Sequence, residues 1–94
     1  MEGQASISAD ILARYASDAA LEVEGVRELA GRRGAKVTGE NGAVNVELHL
    51  VVEWGASIPE VGREVQQRVV AYLGRMANVA AESVDVIVDE IGPQ

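Results

Sequence analysis

No cysteine occurs anywhere in the chain. That removes disulfides, thiolate catalysis and cysteine-ligated zinc or iron–sulfur sites, and it suits a reducing compartment. Phenylalanine is missing too, and Trp54, Tyr15 and Tyr72 are the only large rings, so the core has to be aliphatic and no aromatic stacking platform is available. Positive charge is scarce: 8 basic against 15 acidic residues give a net charge of −7. Such a body repels phosphate polyanions and anionic lipid surfaces, so neither nucleic acid nor direct membrane binding is expected. No uncharged apolar run approaches the ~18 residues needed to cross a bilayer. The opening Met1-Glu2-Gly3-Gln4-Ala5 has neither a basic nor an apolar leader region, and it lacks the Met-Gly start that myristoylation needs. The expectation is a soluble, cytoplasmic protein. There is no Walker lysine and no GxGxxG, so no nucleotide cofactor is expected, nor any other.

What remains is 94 residues with 48% hydrophobic content, enough for a single domain over residues 1–94 with one small core. Its organising stretch runs from Val44 to Leu73. The even positions Val44, Val46, Leu48, Leu50, Val52 and Trp54 are apolar, and the odd ones Asn45, Glu47, His49 and Glu53 polar. A period of two predicts a strand with one buried face, broken in pattern only by Val51. The period then changes. Ile58, Val61, Val65, Val69, Tyr72, Leu73 and Met76 fall on one helical stripe, ending near Ala77 with Asn78 as a left-handed residue after it. Ser57 and Glu60 have capping-box spacing, with Pro59 in the first turn where its missing N–H costs nothing.

Upstream, Ser8 is placed to cap a helix to about Val23, with Ile11, Leu12, Tyr15, Ala16, Ala19 and Val23 buried and Arg14, Ser17 and Asp18 on the far side. Gly25 suits a left-handed residue at its end. Leu21 falls off the stripe. Glu28 to Gly34 has no periodicity and reads as a loop, followed by a short strand at Lys36 to Thr38 and an Asn41-Gly42 hairpin turn. Val84, Val86 and Val88 alternate with Asp85 and Asp89 as a last strand. With a weak first strand at Ala5 to Ile7, the order (β)αββαβ predicts an α+β two-layer sandwich. Two amphipathic helices would cover one face of a small, mainly antiparallel sheet in a split βαβ-like order. If Ala5 to Ile7 does not pair, the last strand is expected to lie parallel beside the long one.

Candidate chemistry is sparse. A serine nucleophile would need His49, the sole histidine, but Ser6, Ser8, Ser17, Ser57 and Ser83 mostly sit where caps and connectors do. Paired carboxylates are abundant only because the surface is acidic. Metal candidates are Glu47, His49 and Glu53 on one strand face, with Asp85 or Asp89 able to join from a neighbour, although strand alternation alone produces such a set. Interaction candidates are Val51 on the exposed face, Trp54 at the strand end, and the Arg32-Arg33 pair. The plainer readings are scattered surface aliphatics, a ring packed under the turn, and a solvated connector.

The residues from Val51 to Val61, VVEWGASIPEV, continuing through Arg63 to Gln66, resemble the signature of the alkaline shock protein twenty-three family, also called the Gls twenty-four envelope stress response family. Ile7-Ser8, Ile11 to Ala13, Ala19-Ala20 and Glu22 to Val26 resemble its opening helix. Trp54 stands where tyrosine is usual, Gly62 where alanine is common, and Asn78 where glycine often ends the second helix. The resemblance implies small, non-enzymatic cytoplasmic proteins of Gram-positive bacteria linked to envelope and alkaline stress. Some are held at the membrane by an integral membrane partner and self-associate. It supplies no catalytic residues. The expected function is therefore a protein-interaction module, with a metal- or small-ligand-sensing domain on the exposed sheet face as the alternative.

Overall fold

A computed structural model describes residues 7–32, 34–40 and 42–93. In chain order its elements are α1 (Ala9–Leu21), β1 (Val26–Leu29), β2 (Ala35–Glu40), β3 (Ala43–Val52), α2 (Ile58–Ala77) and β4 (Ala80–Ile91). The fold is α+β, two helices and a four-stranded open sheet, as the sequence predicts.

All sheet pairing runs through β3. Its alternation gives it one wholly aliphatic face, and both of its edges are occupied. On one edge β2 pairs antiparallel from Glu40↔Ala43 to Ala35↔Leu48, the register of the expected hairpin; Gly42 has φ +82°, and Asn41 lies outside the described residues. Along the same edge β1 pairs antiparallel with residues 50–52. Between them the His49 carbonyl accepts from the Ala30 N–H and the His49 N–H donates to the Gly34 carbonyl, both at 2.7 Å. β1 and β2 are thus one edge row, interrupted between Leu29 and Ala35. On the opposite edge β4 runs parallel to β3, joined through α2 as a parallel pair requires. The expected first strand has no counterpart at Ile7, which is unpaired; Ala5 and Ser6 lie outside the described residues.

The helices cover one sheet face. Val44, Val46, Leu48, Leu50 and Val52 meet Val61, Val65, Val69 and Leu73 of α2 and Leu12, Ala16, Ala19 and Ala20 of α1 in one continuous core, joined by Val23, Val37 and Val84. Burying each Val or Leu there contributes about 1.5–3 kcal/mol. Small alanines on α1 let its axis approach the sheet closely. α1 is capped by Ser8, whose Oγ accepts from the Ile11 N–H at 3.2 Å. α2 ends at Asn78, left-handed at φ 53° and ψ 42°, with its N–H on the Gly74 carbonyl and that of Val79 on the Leu73 carbonyl.

Several expectations need correction. α1 stops at Leu21, two residues early, and Ile11, expected on the buried stripe, is exposed. Gly25 does have positive φ (+100°), but in the turn into β1, where an added Cβ would come within 2.8 Å of Val61 on α2. The predicted loop from Glu28 to Gly34 begins as strand β1. Ser57 occupies the N-cap position of α2 without a side-chain cap bond. β3 ends at Val52, two residues before Trp54.

Candidate functional site

Three regions collect the chemistry-bearing side chains. The first is the uncovered face of the sheet. Glu47 and His49 share it by strand alternation, and β4 adds Asp89. The register passes from Leu50↔Val88 to Val51↔Glu90, so Asp89 is the extra residue of a bulge. Its carboxylate oxygens lie 3.1 and 3.2 Å from His49 Nδ1, while Glu47 Oε2 lies 2.9 Å from Nε2. Hydrogen bonding to Glu47 first, and to Asp89 second, raises the imidazole above its ordinary value of 6.5. The His49 side chain keeps 30% of its surface exposed, so this is a solvated ion triad.

Its chemistry is limited. The carboxylates approach opposite ring nitrogens, so the three groups do not converge on one point. Among the described residues no group of three or more His, Asp or Glu is arranged to hold a metal ion. Glu53, the third metal candidate, lies beyond β3, where its N–H donates to the Gly25 carbonyl at 2.8 Å. Asp85 pairs in register with Glu47 and makes no bond to His49. The histidine's side-chain partners among the described residues are those two carboxylates. Ser17 Oγ donates instead to the Ala13 carbonyl and Ser83 Oγ to Asn45 Oδ1. Val51, expected on this exposed face, is only 5% exposed, and it stands outside the core cluster under the helices.

The second region is the end of β3. Trp54 is 58% exposed, which corrects the reading of a ring packed under the turn: once the strand stops at Val52, alternation no longer directs residue 54 inward. The ring borders an open cleft of about 530 Å³ between the α1–β1 turn and the start of α2, lined also by Glu24, Glu53, Glu60 and Glu64. Gly25, Ala56 and Val61 line it as well.

The third region lies toward the other end of α1. There a cleft of about 570 Å³ separates the helix from the β1–β2 edge. Arg32 lines it; Arg33 lies outside the described residues. Arg14 and Lys36 line it too, residues that sequence reasoning left as plain surface. Nothing in the linear pattern signals this, because only the docking of α1 on β2 brings them together.

A sequence model of the alkaline shock protein twenty-three family, described by its cell envelope-related function, matches residues 1–93. YloU of Bacillus subtilis (strain 168), an uncharacterized protein, is 24% identical over 95% of this chain and 88% of its own. YqhY of the same organism, also uncharacterized, is 25% identical over 89% of this chain and 73% of its own. Among solved structures, MamM-CTD H264A superposes with a TM-score of 0.63 at 16% identity, covering 92% of this chain and all of that one. At that identity the likeness is one of fold.

Proposed function

This chain belongs to the alkaline shock protein twenty-three family, and we propose that it serves a cell envelope-related function as a single-domain, non-enzymatic protein-interaction module in the envelope stress response. In this reading it reaches the membrane only through a protein partner, an integral membrane anchor, and associates with copies of itself. The observation that carries the proposal is Trp54, a large ring left 58% exposed at the mouth of a cleft. Tryptophan is highly buried on average, and with tyrosine and arginine it is enriched among binding hot spots. The four glutamates around it favour a basic partner segment. Cytoplasmic flanks of membrane-spanning helices carry an excess of Lys and Arg, which fits.

The route through a protein follows from what the chain offers a bilayer. No helix of the described residues is long and apolar enough to cross a membrane. The apolar stripe of α2, Val61, Val65, Val69 and Leu73, is spent on the core. Metal sensing on the sheet face is the weaker alternative, because His49 would first have to give up a carboxylate on one ring nitrogen. Affinity capture from a membrane fraction tests the proposal. Wild-type protein should enrich a specific integral membrane protein, and Trp54→Ala, altered only at an exposed side chain, should lose it. Recovery of soluble background alone, or equal recovery with the variant, would sink the reading.

A further inference from the structure

The cleft between α1 and the β1–β2 edge stands apart from the Trp54 surface, and its composition runs against that of the whole chain. The protein carries a net charge of −7, yet Arg14 from α1, Arg32 from the loop after β1 and Lys36 from β2 meet around one depression, with Asp10 the single acid among the described residues that line it. Among the described residues none of these three cations forms an ion pair; the basic side chains that do are His49 and Arg68. The floor is apolar, from Ala13, Leu29 and Val37. At about 570 Å³ the volume falls within the ~300–1,000 Å³ of small-molecule sites.

We infer that this cleft binds a small phosphate monoester, the phosphate held by Arg14 and Arg32 with Lys36 at the rim and the organic part lying on Ala13, Leu29 and Val37. Planar guanidinium groups pair with phosphate oxygens two at a time, which a scattered surface charge does not. Size selects the ligand class. At physiological salt, charges beyond about 8 Å are largely screened. A compact dianion seated in the cleft therefore feels the local cations, whereas an extended polyanion or an anionic bilayer would overlap the surrounding acidic surface. A soluble phosphate ester should bind and the same group displayed on a membrane should not. This places a ligand site away from the sheet face and independent of any protein partner.

The test is an amide-resolved NMR titration of the whole chain with phenyl phosphate and with inorganic phosphate, beside co-sedimentation with phosphatidylglycerol vesicles. Phenyl phosphate should saturate at millimolar concentration or below, tighter than inorganic phosphate, with shifts centred on Ala13, Gly31 and Gly34. The double variant Arg14→Gln/Arg32→Gln, changed only at exposed side chains, should keep its melting temperature and bind about tenfold or more weakly. Vesicles should not sediment the protein. Absence of saturable shifts, affinity unchanged in the double variant, or vesicle binding that the double variant loses would each overturn the inference.

Discussion

The two faces of β3 are made by the same ten residues and do opposite work. Toward the helices stand Val44, Val46, Leu48, Leu50 and Val52, all buried. Away from them stand Asn45 and Glu47, exposed, then His49 between two carboxylates, then Val51. The covered face is chemically uniform and energetically decisive, because it is where apolar surface leaves water. The open face carries titratable groups that remain solvated and hold the fold only weakly. Neither face carries the exposed ring on which the proposed function depends. That ring follows the last residue of the strand, where neither face continues, so stability and recognition are separated along the chain.

The largest break in this comparison is on the covered face. Leu50→Ala removes a fully buried side chain from the contact between β3 and the helices. Leu→Ala changes in cores cost about 2–5 kcal/mol, a large share of the ~5–15 kcal/mol that holds a domain folded. At ~4–8 °C per kcal/mol for a chain of this size, the melting temperature should fall by about 10 °C or more. A shift of a degree or two in thermal unfolding would mean that the core is not packed as described.

A finer probe is Val51, which has the parity of the open face and the burial of the covered one. Truncation to alanine removes two methyl groups, about 1.6 kcal/mol at ~0.8 kcal/mol per buried carbon. If Val51 were as exposed as its position in the alternation implies, the loss would be within about 0.5 kcal/mol. Urea unfolding of Val51→Ala separates the two values.

The covered face, the hairpin and α2 are legible in the sequence because each is a local pattern: alternation from Val44 to Val52, Asn41-Gly42 between two extended runs, and the stripe ending at Asn78. The parts that are not legible depend on neighbours. β1 is four residues long with only Val26 and Leu29 half-buried, too short for any period to register. Trp54 is misplaced by extending the alternation past the point where the Glu53 N–H turns to Gly25 and the chain leaves the sheet. Glu47 beside His49 follows from spacing on one strand, but Asp89 reaches the ring through a bulge that only the β3–β4 register defines. The two clefts are still less visible, since each takes its walls from two stretches that are separate in the sequence. The family signature, by contrast, is legible because it coincides with the strand-turn-helix unit that organises the fold.

The smallest expected effect is on the open face and is a matter of pH. Glu47 on the same strand and Asp89 on β4 raise the folded-state pKa of His49 above the ordinary 6.5 that it has when unfolded. A raised pKa means that the folded state binds the proton more tightly, so the ion pairs stabilise the protein fully below about pH 6.5. The stabilisation is lost as pH rises through the folded value, once both states are neutral. Solvent screening keeps the contribution small. In a proton NMR titration the His49 ring should therefore titrate above 6.5. Glu47→Gln and Asp89→Asn should each lower its midpoint, because both carboxylates hydrogen-bond the ring and raise its pKa. Denaturant midpoints measured at about pH 5.5 and about pH 8.5 should differ less in His49→Ala than in the wild type, by the component the imidazolium supplies. A ring midpoint at or below 6.5, or one that neither carboxylate variant moves, would show that the triad does not form in solution, and the open face would then be a plain solvated surface.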